Sequence, residues 1–369
     1  MVDTNSFYDE LIKNDIAFFA GVPDSLLKEF CACIETKTPR ERNFITANEG
    51  NAVAMCAGWH LSTGKFGLVY MQNSGEGNAV NPLMSLTDAD VYNIPLMLII
   101  GWRGEPGVHD EPQHVKQGKV TIPLLDAMGI KHFILGDNYV EQIRDCVAYM
   151  KETNNPVALI VHKGSFSPYK LEVENNTYPL SREHALETVL SSLKPDDFVV
   201  STTGKASREI FEIRERNKQD HSHDFLTVGS MGHTASIACG VAIGTSKNVF
   251  CVDGDGSFIM HMGSFPVIAD KAPKNFKYIM INNGAHESVG GQPTVALKIN
   301  APEILRGAGF KKVIEAKNED DIRAGIAEQE KNPLVAMIIY CHQGSRDNLG
   351  RPTTTPIQNK QAFMKAIKE

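Results

Sequence analysis

Two stretches decide the reading: NEGNAVAMCAGWHLSTGKFGLVYMQNSGEGN (Asn48–Asn78) and GSMGHTASIACGVAIGTSKNVFCVDGDGS (Gly229–Ser257). Each runs from a small-residue helix through a turn carrying Lys into a continuous apolar strand, then into a glycine turn that opens another helix. The likeness extends on both sides. NIPLMLIIGWRG answers NFKYIMINNGA, and NPVALIVHKG (Asn155–Gly164) answers NPLVAMIIYCHQG (Asn332–Gly344). The offsets stay nearly constant, at 182 residues for Gly58 to Gly240, 179 for Gly75 to Gly254 and 177 for Asn155 to Asn332. One α/β architecture is written twice, in the same order and at the same spacing.

The strand-like runs FGLVYM, PLMLIIG, VALIVHKG, FVVST, NVFCVDG, KYIMIN and LVAMIIY are apolar throughout, as parallel strands covered on both faces are. Alternation with helix-length segments predicts two related doubly wound parallel-sheet domains. The boundaries expected are 1–170, a linker at 171–185 rich in Pro and polar residues, and 186–369, with no room for a third domain between the halves.

Bulk properties exclude several classes. The 369-residue chain has a net charge of −7, which argues against a general affinity for nucleic acid or an anionic membrane. No apolar stretch reaches membrane-spanning length, and the opening residues lack the pattern of a secretory signal. The seven cysteines are scattered and several lie in apolar runs, so the expected setting is a reducing cytoplasm; Cys31 and Cys33 form only C-x-C, without a second pair at zinc spacing.

The chemistry concentrates at strand ends, where ligands of open α/β sheets bind. Gly254-Asp255-Gly256-Ser257 offers backbone N–H groups for phosphate oxygens, and Asp255 adds a hard anionic oxygen. Asn283 follows the next strand and adds a neutral oxygen, with Asn282 as a one-residue alternative in register. One carboxylate, one amide and one carbonyl, completed by diphosphate oxygens and water, suit Mg2+. In the first half, Glu49 opens a helix after the strand-like NFIT; an acidic residue there also complements a helix dipole.

GDGS followed, 25 residues on, by NN resembles the signature of thiamine-diphosphate-dependent decarboxylases. From Phe19 to Arg351 the motifs GVPDSLL, NEGNAVAMCAG, YMQNSGEGNAVNPL, GWRGEPGVHDEPQH, GSMGH, GDGS and NNGAHESVGGQPT resemble the compact phosphonopyruvate decarboxylase family and the related sulfopyruvate decarboxylases. The resemblance implies thiamine diphosphate and Mg2+ as cofactors, with Asp255, Asn283 and the Ala285 carbonyl as metal ligands. Gly254, Gly256 and Ser257 would face the diphosphate. Glu49 would hold the far ring nitrogen of the pyrimidine, the Gly229 carbonyl would accept from its amino group, and Ser230 and Met231 would support the cofactor, Met231 as an apolar wedge.

The implied reaction is non-oxidative decarboxylation of a 2-oxoacid with a distal anionic group. The substrate candidates are Pro23, Asp24, Arg103, His233 and His286, with Arg351 as a further cation. Asn73, His109 and His114 are candidate catalytic residues with Glu49. Asp24 is a candidate proton donor, though a turn-forming Asp is the simpler reading. The GWRGEPGVHDEPQHVKQGK loop is expected to form a shaped or mobile lid. The family also implies a homodimer or larger assembly, with Glu49 of one copy facing Asp255 of another. Sulfopyruvate decarboxylation, carboligation and non-catalytic cofactor binding are the alternatives. A nicotinamide dehydrogenase fits worse, because GDGSFI is not G-x-G-x-x-G.

Overall fold

The computed structural model describes residues 1–172 and 176–369. Residues 173–175, within the stretch read as a linker, lie outside the described residues. The chain divides into two compact units, Met1–Val173 with Ser288–Gln292, and Glu174–Glu287 with Pro293–Glu369.

The first unit holds a six-stranded sheet built in chain order from Phe19–Gly21, Asn43–Ile45, Gly67–Gln72, Leu96–Gly101, Lys131–Ile134 and Val157–Val161. Along the sheet these run second, first, third, fourth, sixth, fifth. Every pairing is parallel, with registers such as Phe19 opposite Leu68 and Gly67 opposite Leu96. The second unit holds Phe198–Ser201, Asp224–Leu226, Val249–Gly254, Phe276–Asn282, Lys312–Ala316 and Val335–Tyr340. Its sheet is also wholly parallel, and its order is again second, first, third, fourth, sixth, fifth. Two related doubly wound domains are therefore present, without a third between them.

Burial explains the apolar runs. In Gly67–Gln72 the side chains of Leu68 and Tyr70 enter one core with Phe7, Phe30 and Ile99. Val69 and Met71 enter the core on the opposite face with Val53, Leu98 and Ile100. The second sheet repeats the division: Cys251, Tyr278 and Met280 face one side, and Phe250, Val252, Ile279 and Ile281 the other. All seven cysteines are free and buried. No helix among the described residues is long and apolar enough to cross a membrane.

Candidate active site

In the first unit, four strand ends bring their loops together. Glu49 is the first residue of the helix Glu49–Thr63, whose N-cap Asn48 accepts from the Asn51 N–H. The Glu49 side chain is buried, and its Oε2 accepts from Asn78 Nδ2 at 2.7 Å. Burial raises the carboxyl above its ordinary pKa, against the opposing pull of Asn78. Gly75 ends the turn after the third strand, and a Cβ there would meet Glu49 Oε1 at 2.2 Å. The second glycine-rich turn thus leaves Glu49 the room it occupies.

A second cluster surrounds Asp24, which is fully buried behind Pro23. Its Oδ1 accepts from Gln72 Nε2 at 2.5 Å and its Oδ2 from the Leu26 N–H at 3.1 Å. Desolvation raises this carboxyl, while Gln72 and Arg103 pull the other way. Ser74 in turn donates to Gln72 Oε1. Gly101 admits the group, since a Cβ there would lie 2.1 Å from Asp24 Oδ2.

The glycine-rich loop is shaped by close packing. Gly104 has φ of +67°, and a Cβ on it would meet the His114 carbonyl at 1.9 Å; one on Gly118 would meet the Gly104 carbonyl at 1.7 Å. Trp102 Nε1 donates to the Gly118 carbonyl at 2.8 Å. Arg103 is committed within the loop. Its guanidinium donates twice to Asp110, with 2.7 Å for the Nε bond, and to Ser25 Oγ. Burial works against the ionised Asp110 carboxyl, but Arg103 and the Gly104 N–H outweigh it and hold its pKa at about 2. Asn73 Nδ2 donates to the Arg103 carbonyl at 2.8 Å and to Thr121 Oγ1 at 3.0 Å. Its Oδ1 accepts from the Arg103 N–H. His114 is buried in the first turn of Pro112–Ala127, and burial together with Arg103 lowers its pKa. His109 is exposed.

Glu76 was not among the sequence candidates. It is 3% exposed, its Oε1 has no hydrogen-bond partner among the described residues, and burial pushes its carboxyl up to about 8 despite Thr121. Its position in NSGEG, three residues after the candidate Asn73, was the available signal.

In the second unit, strand register sets the diphosphate side. Ile281 pairs with Gly254, so Asp255 and the Asn282-Asn283 pair leave neighbouring parallel strands at the same end. Asp255 is buried. Its Oδ2 accepts from Thr294 Oγ1 at 2.6 Å and its Oδ1 from the Gly256 N–H at 2.9 Å. Burial raises its carboxyl to about 6, against the opposing pull of Thr294 and the Gly256 N–H. Asn283 Oδ1 accepts from the Ala285 N–H, and its Nδ2 donates to Glu287 Oε2 at 2.8 Å. Asn282 is engaged by backbone at both ends, with Nδ2 on the Ala296 carbonyl and Oδ1 on the Gly284 N–H. Gly284 has φ of +73°, the left-handed turn that releases the chain after Asn283.

The GSMG loop is tied to the GDGS turn, because the Gly232 N–H donates to Ser257 Oγ at 3.1 Å. Ser230 and Gly232 both have positive φ, at +55° and +86°. A Cβ on Gly256 would lie 3.0 Å from both Met231 Cε and the His286 ring, so this glycine sits directly under two candidates. Burial pushes the His286 imidazole down to about 4. His233 is exposed and packs its ring 4.5 Å from that of His261. Gly229 stands half-buried before this loop, and Arg351 is exposed. Among the described residues no three His, Cys, Asp or Glu side chains gather at one point. This donor set fits a cation that draws further oxygens from a diphosphate.

Two family models cover this arrangement. "Thiamine pyrophosphate enzyme, N-terminal TPP binding domain" matches residues 4–129, and "Thiamine pyrophosphate enzyme, C-terminal TPP binding domain" matches residues 202–339. A phosphonopyruvate decarboxylase from Streptomyces viridochromogenes is 34% identical over 93% of this chain and 89% of its own. The chain belongs to the thiamine-diphosphate-dependent decarboxylases. A phosphonopyruvate decarboxylase from Streptomyces hygroscopicus is 32% identical over 98% of this chain and 93% of its own. A sulfopyruvate decarboxylase from Methanosarcina acetivorans is 30% identical over 82% of this chain and 81% of its own. Within this decarboxylase family, each half is thus a domain for binding thiamine diphosphate. Because the M. acetivorans relative spans both halves, fusion of the halves does not by itself separate the two substrate classes.

Proposed function

We propose that this decarboxylase converts 3-phosphonopyruvate to phosphonoacetaldehyde and carbon dioxide, with one proton taken up, using thiamine diphosphate and Mg2+. The observation that carries the substrate assignment is the near-full-length likeness to two phosphonopyruvate decarboxylases, at higher identity and coverage than to the sulfopyruvate decarboxylase.

When bound, thiamine diphosphate supplies the electron sink that lets the substrate carboxylate leave as carbon dioxide. This chain's residues bind and orient. Glu49, dry and held by Asn78, is suited to share a proton with a ring nitrogen instead of standing as a bare carboxylate. Asp255 and Asn283, with the Ala285 carbonyl, would hold the cation. Gly254, Gly256 and Ser257 would lie along the diphosphate, and Gly229, Ser230 and Met231 would support the rings. Asp24 is the candidate proton donor, because burial favours its protonated form and Gln72 fixes its orientation. Asn73, His109 and His114 are assigned to the catalytic side with Glu49 and Asp24; Pro23, His233 and His286 are assigned to the substrate side, together with Arg103 as the Asp110-paired guanidinium of the loop. The working unit is a homodimer or larger assembly in which Glu49 of one protomer serves the cofactor held by Asp255 of its partner. The free, buried cysteines support a reducing cytoplasm.

The test is carbon dioxide release from phosphonopyruvate and sulfopyruvate, compared on purified enzyme loaded with thiamine diphosphate and Mg2+. A preference in kcat/KM for phosphonopyruvate of at least about tenfold, or roughly 1.4 kcal/mol, is expected. The reverse preference would identify a sulfopyruvate decarboxylase.

A further inference from the structure

The second unit contains a polar network that none of the roles above uses. Arg182 is 5% exposed and Glu209 is 1% exposed, and the two form a bidentate pair: Nε to Oε2 and Nη2 to Oε1, each 2.6 Å. The remaining Arg182 donor, Nη1, reaches Glu287 Oε2 at 2.6 Å. Lys205 Nζ donates to Glu287 Oε1 at 2.9 Å and to Ser345 Oγ at 2.8 Å. Glu287 Oε2 also accepts from Asn283 Nδ2. Among the described residues two cations meet two carboxylates here, and the network reaches the amide of a candidate metal ligand.

We infer that Arg182, Lys205 and Glu287 are positioning residues that set the Asn283 amide so that its oxygen is offered to a divalent cation. The inference rests on the reading of Asn283 as a ligand. An amide presents an acceptor at one end and donors at the other, and a half-turn exchanges them. A carboxylate paired with Arg182 and Lys205 is ionised and only accepts, so the edge of Asn283 that faces it must be Nδ2. The Ala285 N–H fixes the other edge, since it requires an acceptor and meets Oδ1. Oδ1 retains a second lone pair for a cation, which the wrong amide orientation would replace with N–H donors. Stability alone explains the network poorly, because buried ion pairs contribute little that apolar packing would not. Orientation of a ligand by partners behind it is what such a network adds.

The test uses full-length enzyme freed of metal by chelation, with saturating thiamine diphosphate and Mn2+ as the probe; free Mn2+ is counted by electron paramagnetic resonance. The wild type is expected to bind Mn2+ in a thiamine-diphosphate-dependent manner. Glu287→Gln should weaken that binding by about 10- to 100-fold. In an Asn283→Ala background the same change should add nothing, because it acts through that amide. Lys205→Met removes one donor from Glu287 but leaves the Arg182–Glu209 pair, and should weaken Mn2+ binding by about three- to tenfold; it decides the matter should Glu287→Gln fail to fold. Unchanged Mn2+ affinity in the folded variants, or a full additional loss in the Asn283→Ala background, overturns the positioning role. Loss of thiamine-diphosphate dependence in the wild type itself overturns the ligand reading, and the positioning role with it.

Discussion

Glu49 and Gly75 fit together so closely that the glycine has no room for a side chain: an added Cβ would stand 2.2 Å from Glu49 Oε1. Gly75 has φ of −78° and ψ of −12°, which any residue adopts. The requirement for glycine is therefore steric and comes from the carboxyl group. Gly75→Ala should leave the backbone in place, push Glu49 aside and lower kcat by about 100-fold, the effect of a displacement near 1 Å. Overpacking should cost about 1–3 kcal/mol of stability. Steady-state rates and a thermal melt on the same preparation separate the two effects.

Glu49→Gln keeps the shape and removes the exchangeable acid. A fall in turnover of about 100- to 10,000-fold is expected, with folding retained. Asn78→Ala removes only the hydrogen bond to Oε2, worth about 1 kcal/mol, so a loss of roughly fivefold should follow. Turnover of Glu49→Gln within tenfold of wild type would falsify the assigned role.

Thr294 donates to Asp255 Oδ2 from the far side of the turn. Thr294→Val should leave the carboxylate less firmly oriented and weaken cation binding by about tenfold or more, with thiamine diphosphate retained less well as a result. Calorimetric titration of the apoenzyme with cofactor, at several Mg2+ concentrations, reads this directly. Equal affinities in the two proteins would show that Thr294 only closes its loop.

Glu76 provides a pH test in the protein without cofactor. Its folded pKa of about 8 lies above the ordinary glutamate value of 4.5, so the folded state holds the proton more tightly than the unfolded chain. The associated stability is fully present below pH 4.5 and is lost as the pH rises through 8. Glu76→Gln should remove this slope. The variant should gain on wild type by roughly 2–5 kcal/mol between pH 5 and pH 8.5, measured by urea unfolding at each pH. Parallel pH curves would place the Glu76 charge in water.

The fold was largely legible because its central strands are buried on both faces and read as unbroken apolar runs. Lys131–Ile134, Asp224–Leu226 and Lys312–Ala316 escaped the reading for a physical reason. They lie at sheet edges, are short, and two of them carry exposed positions, Lys131 and Ile134 in one and Lys312 and Glu315 in the other. In the candidate site, the local backbone was legible where a motif dictates it, as at the Gly254–Ser257 turn and the left-handed Gly284 after Asn283. Side-chain pairing was illegible where the partner is distant in sequence. The pairing of Arg103 with Asp110 carried no sequence signal, because the two stand seven residues apart within a loop whose path no periodicity predicts. Arg182, at 105 positions from Glu287, carried no signal at all.

The shared strand order has a consequence for how such an enzyme can be encoded. Among the described residues no strand of either sheet lies between Val161 and Phe198, so each ladder of main-chain hydrogen bonds closes within its own half. A stop and a fresh start codon in that interval would sever neither ladder. The arrangement is therefore as compatible with two adjacent reading frames as with one.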